Sequence, residues 1–263
     1  MKALLKYPGG KWRIAEWIIS HFPAHKVYLE PFFGSGAVFF NKIPSYIETI
    51  NDVDENIVNL FRVCRERPKE LAAALNLTPC AKQEFIACYE MKTEDPVEWA
   101  RRVVVRYHQS FGTSNSSKNT WRNVQTPGGP RCATMWNYLP DAVIEACQRM
   151  KEVQIECLDA IELIKRYDNP DTLIYCDPPY LRSLRKDNMY ACEMTEAQHR
   201  ELLEALLATK SKVMISGYDS ALYNKVLVGW HTDTIETTAQ MGLKRTEKIW
   251  MNYNGNDQIS MFE

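Results

Sequence analysis

The chain has no CxxC pair and no cluster of histidines beside its eight cysteines, which argues against a zinc site and a secreted disulfide framework. Reduced thiols are expected at Cys64, Cys80, Cys88, Cys132, Cys147, Cys157, Cys176 and Cys192. No apolar stretch approaches the roughly 18 residues of a membrane span, and the N-terminus lacks the apolar core of a signal peptide, so a soluble intracellular protein is expected. Glycine is sparse, at 11 of 263 residues. A full GxGxxG turn is missing because Phe39 stands at its third position, and a dinucleotide site loses support. Net charge is almost absent too, at −1, so the average says nothing about partners. The distribution says more: no Asp or Glu occurs between Arg101 and Pro140, a span holding Arg101, Arg102, Arg106, Lys118, Arg122 and Arg131.

With 45 % hydrophobic residues the chain can bury a substantial core, in one large domain or in one domain carrying a smaller insertion. Strand-like runs at 27–29, 47–50, 153–157, 173–176 and 213–216 alternate with helical patterns. This predicts an α/β fold, a mostly parallel sheet covered by helices on both faces. Segments 232–238 and 247–253 are expected to add an antiparallel pair at one edge. The alternation breaks between Ile57 and Arg149, where helices are predicted over 57–75 and 99–107 ahead of a polar loop. Residues 60–150 read as an insertion between the two parts of a sheet domain, 1–59 and 151–263.

The stretch TLIYCDPPY at 172–180 reads as an interior strand stopped by two prolines, which remove amide donors and stiffen the loop. Asp177 and Tyr180 therefore stand on a rigid loop at a strand's carboxyl end, where open α/β sheets bind ligands. Earlier, VYLEPFFGSGAVFF at 27–40 sets Gly34 and Gly36 in a strand-to-helix turn that lets backbone amides approach a ligand. Asp52, within INDVDEN, lies about 20 residues beyond that turn, the place of a ribose-binding acid. The alternative is that Asp52 or Asp54 caps the helix beginning near Asn56. Asp159, within ECLDAIELI, is likewise a ligand contact or a helix cap. All four features fall on one edge of the inferred sheet, which favours a common ligand.

Taken in order, KYPGGK at 6–11, EPFFGSG at 30–36, the insertion and DPPY at 177–180 resemble the Dam-like (D12 class, alpha group) DNA adenine-N6 methyltransferases over nearly the whole chain. The resemblance implies a Rossmann-like SAM-dependent methyltransferase sheet with an inserted, mainly helical target-recognition domain at 60–150. It also implies a cytoplasmic, bacterial or phage-encoded monomer, with S-adenosylmethionine as cofactor and double-stranded DNA as partner. Tyr7, Lys11, Asp52 and Asp177 would line the cofactor site. The glycine turn, with Glu30, Phe32, Gly34 and Gly36, would lie against the methionine portion and Asp159 near the adenine. No metal is implied, because in-line methyl transfer from a sulfonium needs none.

The catalytic set is then Asp177, Pro178, Pro179 and Tyr180. The carboxylate of Asp177 and the carbonyl of Pro178 are the pair of acceptors for the amino group of a flipped adenine, and Tyr180 supplies a π-face for it. Cys176 is expected to pack into the sheet rather than act as a nucleophile. The acid-free span adds Tyr107, His108, Phe111, Trp121 and Trp136 to its cations; Lys6, Arg106, Lys118 and Arg122 are the expected DNA contacts. HQSFGTSNSSKNTWRN at 108–123 departs from the recognition segment of the family's GATC readers, which leaves the recognised sequence open. The tail 255–263 holds Gln258, Ile259, Met261 and Phe262, similar to the short peptides that dock on the bacterial sliding clamp. Competing readings are the same chemistry on cytosine N4 or RNA adenine, and a non-catalytic DNA-binding protein that has kept the fold. Asp rather than Ser before PPY leans toward adenine.

Overall fold

The computed structural model describes residues 1–90, 93–111, 119–123, 134, 136–185, 190–238 and 244–254. Lys118 and the tail from Gln258 to Phe262 lie outside the described residues. A short helix α1 (Ala15–Ile19) leads into β1 (Val27–Glu30) and β2 (Ile47–Asn51). Helices α2 (Glu55–Glu66), α3 (Pro68–Asn76), α4 (Lys82–Glu90) and α5 (Pro96–Gln109) come next. Then come the two-residue strands β3 (Ser110–Phe111) and β4 (Thr120–Trp121) and helix α6 (Leu139–Arg149). The chain continues through β5 (Gln154–Glu156), α7 (Ala160–Arg166), β6 (Thr172–Cys176), α8 (Glu196–Ala208) and β7 (Lys212–Tyr218). It closes with α9 (Ala221–Val226), β8 (His231–Thr238) and β9 (Lys244–Met251).

Seven strands form one sheet in the order β5-β2-β1-β6-β7-β9-β8. The first five run parallel, whereas β9 runs antiparallel to both β7 and β8. This is the α/β sheet with an antiparallel edge pair that the hydrophobic runs predict. The chain moves outward from β1 through β2 to β5 and then returns to β6 on the other side of β1. The order therefore reverses between β1 and β6, and a crevice opens at their carboxyl ends. All five residues of β6 are buried, which explains its uninterrupted apolar run.

The helix expected over 57–75 is two helices. Arg67 leaves helical geometry at φ −132°, ψ 47°, because the ring of Pro68 disfavours the α region at the preceding residue. Pro68 then opens α3, where its missing amide costs nothing. Helix α5 begins ahead of the expected position because Asp95 accepts from the Val97 amide and Pro96 occupies the first turn.

Two cores hold the layers together. One face of the sheet, with Tyr28, Ile50, Tyr175 and Met214, packs with Leu60 and Phe61 of α2, Leu71 of α3, Val104 of α5 and Val143 of α6. The opposite face, with Leu29, Ile174, Cys176 and Ile215, packs on Leu163 of α7, Leu203 of α8 and Tyr223 of α9. The helices between β2 and β5 thus share one core with that side of the sheet, each buried side chain contributing about 1.5–3 kcal/mol.

Candidate active site

A cavity of about 280 Å³ occupies the crevice. Four strand ends reach it: Glu30 from β1, Asn51 and Asp52 from β2, Leu158 and Asp159 after β5, and Asp177 after β6. Tyr7 and Lys11 of the KYPGGK loop close one side; Gln198 and Leu202 of α8 close another. Phe32 and Pro179 also line it. The glycine turn needs its glycines. Gly34 has φ +50°, and a Cβ there would lie 3.0 Å from the Tyr7 ring. At Gly36, with φ +65°, a Cβ would strike the rings of Phe33 and Phe40.

The bare turn gives its amide to Asp52: Gly34 N donates to Oδ2 at 2.8 Å, and Asp54 N donates to Oδ1 at 2.9 Å. A carboxylate has about four acceptor sites, so Asp52 keeps capacity for a ligand. Burial pushes its carboxyl up to about 7, against the lowering by these amides. Glu30, which accepts from the Tyr28 hydroxyl at 2.7 Å, is pushed up to about 8 by burial, with the nearby Asp177 adding to the rise. Asp159 accepts from the amides of Ile161 and Glu162 and so caps α7 while lining the cavity. The two readings of that residue are compatible.

Asp177 is held from two sides. Ser216 Oγ donates to Oδ1 at 2.9 Å, and Lys11 Nζ lies 2.9 Å from Oδ2. Lys11 also donates to the Gly9 carbonyl at 2.9 Å. Burial alone would lower the pKa of Lys11, yet Asp177 and Glu247 together raise it above the ordinary lysine value. Tyr180 is placed differently from the open π-face expected of it. Its hydroxyl donates to Glu247 Oε2 at 2.6 Å, which draws the ring inward to 5 % exposure, with Lys11 Nζ 4.6 Å from its centroid and Tyr218 edge-on at 4.5 Å. Cys176 is fully buried in the sheet, and burial pushes its thiol up.

Arg122 stands at the base of the β3–β4 hairpin, donating Nε to the Ser110 carbonyl at 3.2 Å. Buried His108, whose Nε2 bonds the Leu4 carbonyl at 2.9 Å, is pushed down to about 3 by burial and by the charges of Lys6 and Arg122. The end of α5 is thereby fastened to the N-terminal segment. Arg106 instead turns toward the protein, donating to Asn56 Oδ1 at 3.0 Å and lying over the Tyr89 ring.

Several residues of the site carry no sequence motif. Asn51 Nδ2 donates to the carbonyls of Pro31 and Leu158 at 2.9 and 3.0 Å, and its Oδ1 accepts from the Leu158 amide at 2.8 Å. It ties three strand ends into one rim; its place beside Asp52 is the only signal. Ser216 stands at the end of a predicted strand, whereas Glu247 arrives on an antiparallel strand with nothing to mark it. Tyr190 lines the cavity close to Gly9, steadied by the Arg185–Glu193 ion pair.

The family model of the D12 class N6 adenine-specific DNA methyltransferase matches residues 7–243. The DNA adenine methylase of Escherichia coli (strain K12) is 27 % identical over 236 residues, covering 84 % of this chain and 82 % of that protein. The DNA adenine methylase of Haemophilus influenzae is 27 % identical over 252 residues, covering 87 % and 83 %. That of Salmonella typhi is 26 % identical over 236 residues, covering 84 % and 82 %. The family match runs from the N-terminal loop through the glycine turn, Asp52 and DPPY, and the chain belongs to the D12 class N6 adenine-specific DNA methyltransferase family.

Proposed function

We propose that this DNA adenine-N6 methyltransferase takes its methyl group from S-adenosylmethionine and delivers it to an adenine flipped out of double-stranded DNA, with Asp177 and Pro178 receiving the amino group. One observation carries the cofactor reading. Six carboxyl side chains, Glu30, Asp52, Asp159, Asp177, Glu193 and Glu201, border the cavity against one lysine, Lys11, among the described residues. Such a wall suits a cationic ligand, which favours the ionised forms of Glu30 and Asp52. When bound, S-adenosylmethionine supplies an electrophilic methyl group on a positively charged sulfur. Asp52 is the acceptor for its ribose hydroxyls, Asp159 lies near its base, and Glu30, Phe32 and the glycine turn border its amino-acid portion.

The amino nitrogen of adenine is a poor nucleophile because its lone pair is delocalised into the ring. Asp177 and the Pro178 carbonyl accept its two hydrogens and stabilise the charge that develops on nitrogen. Ser216 and Lys11, one on each carboxylate oxygen, keep the carboxylate from rotating until the base arrives. The base leaves the duplex at a cost of a few kcal/mol. Stacking on Tyr180 returns roughly 1–3 kcal/mol once Lys11 yields its place by the ring. Residues 60–150 carry target recognition, with Lys6 and Arg122 on the phosphate backbone.

The test is the N6-methyladenine content, by mass spectrometry, of DNA from methylation-free cells expressing this chain or its Asp177→Ala variant. Methylated adenine only with the unmutated chain is expected. N4-methylcytosine in place of N6-methyladenine, or methylated RNA alone, would overturn the assignment of the acceptor. Calorimetry with S-adenosylmethionine tests the cofactor separately, with binding abolished in Asp52→Ala.

A further inference from the structure

His199 of α8 is fully buried and belongs to none of the sequence motifs. Its Nδ1 lies 2.9 Å from the Tyr223 hydroxyl of α9. Its Nε2 is buried with no partner in hydrogen-bonding geometry, and the backbone of Pro179 lies within the ring's reach. Burial and the charge of Arg185 push the imidazole down to about 4, so it is neutral at physiological pH. A neutral imidazole has one donor and one acceptor. If the Tyr223 hydroxyl donates to Nδ1, the ring proton sits on Nε2, on the side left for Pro179.

The flanking groups of the DPPY loop are already held from behind. Ser216 Oγ donates to Asp177 Oδ1 at 2.9 Å, and Arg185 Nε donates to the Tyr180 carbonyl at 2.8 Å. The Pro179 carbonyl is the acceptor between these two anchors. Proline rings fix φ along the loop, so setting the plane of the Pro179 carbonyl restricts the direction of the Pro178 carbonyl before it. We propose that His199 is a positioning residue for the methyl-transfer reaction: oriented by Tyr223, it donates Nε2–H to the Pro179 carbonyl and so aims the Pro178 carbonyl at the adenine amino group. A bond that is open without substrate and closes in the working complex is the usual behaviour of such contacts.

The inference rests on the reading of DPPY as the catalytic loop. It is tested with purified full-length variants, methylation-free genomic DNA and S-adenosylmethionine, measuring kcat, cofactor Kd and Tm together. His199→Phe should lower kcat about tenfold, with cofactor Kd unchanged within about twofold. His199→Gln, whose amide retains a donor near the place of Nε2, should recover most of that loss. Tyr223→Phe removes only a hydroxyl; it should lower kcat about threefold at unchanged Tm, and it decides the matter if His199→Phe does not fold. Full kcat in His199→Phe or in Tyr223→Phe overturns the proposal. So does a His199→Gln no better than Phe, or a loss that tracks Tm or cofactor affinity, the signature of packing alone. Asp177→Asn, assayed alongside, separates the two readings: if it stays active, the catalytic assignment of DPPY fails rather than the role of His199.

Discussion

Glu30 and Asp52 are carboxyls whose ionisation the fold resists, and this makes the cavity a proton store. Their folded pKa values, pushed by burial up to about 8 and about 7, lie above the ordinary carboxyl range near 4. Above about pH 6.5, where buried His108 and His199 are neutral in both states, these two carboxyls bind more protons in the folded chain than in the unfolded one, and stability falls as pH rises to about 8. Tm of the ligand-free protein should decline from about pH 6.5 to about 8.5, and Glu30→Gln should flatten the upper part of that decline; an unchanged slope would refute the assignment. A cationic ligand favours the ionised carboxyls, so its binding at pH 7 should release protons, seen as calorimetric heats that differ between buffers. Asn51 tests the rim. Asn51→Asp keeps the shape but loses both donors and sets a carboxylate against the Pro31 and Leu158 carbonyls. Cofactor affinity should fall at least about tenfold, since each unsatisfied buried group costs roughly 1–3 kcal/mol. Asp177 is legible in the sequence because two prolines follow it, and Asp52 because it stands about 20 residues beyond the glycine turn. Asn51 and Ser216 are not, because their partners Leu158 and Asp177 lie 107 and 39 residues away.

At the scale of elements, the carboxyl edge is built from strand ends, and α8 closes it from the side. That helix starts at a capping box: Thr195 Oγ1 accepts from the Gln198 amide, and Gln198 Oε1 accepts from the Thr195 amide at 2.8 Å. Gln198, Glu201 and Leu202 border the cavity, so the cap sets where the cavity wall begins. Thr195→Ala should destabilise the protein by about 1 kcal/mol, read by urea unfolding. A change below about 0.3 kcal/mol would mean that packing of Leu202, Leu203 and Leu206 alone fixes the helix. The hydrophobic runs reveal the strands because a sheet buried on both faces demands unbroken apolar segments. They hide the break at Pro68, since helical periodicity continues on both sides of it. Nor do they disclose that α2 to α6 share a core with one face of the sheet, because an apolar stripe does not name its partner.

For the whole molecule, the decisive quantity is which cations face DNA. The acid-free span suggests six, but three of them turn inward. Arg101 pairs with Glu98 and with Glu84, Arg102 pairs with Glu98, and Arg106 bonds Asn56. Helical spacing places Glu98 three and four residues before the first two arginines, so acids just outside the span neutralise part of its charge. Lys6 and Arg122, whose charges both act on buried His108, are the pair proposed for phosphates. Each phosphate contact removes about 0.9 from the slope of log affinity against log salt. Lys6→Ala and Arg122→Ala should therefore each weaken DNA binding and flatten that slope by about one, measured by fluorescence anisotropy across a salt series. Arg101→Gln should leave the slope unchanged and lower Tm, because it breaks the ion pairs with Glu84 and Glu98. If Arg101→Gln flattens the slope as much as Arg122→Ala does, the summed charge of the span governs DNA binding, and the geometry around His108 does not.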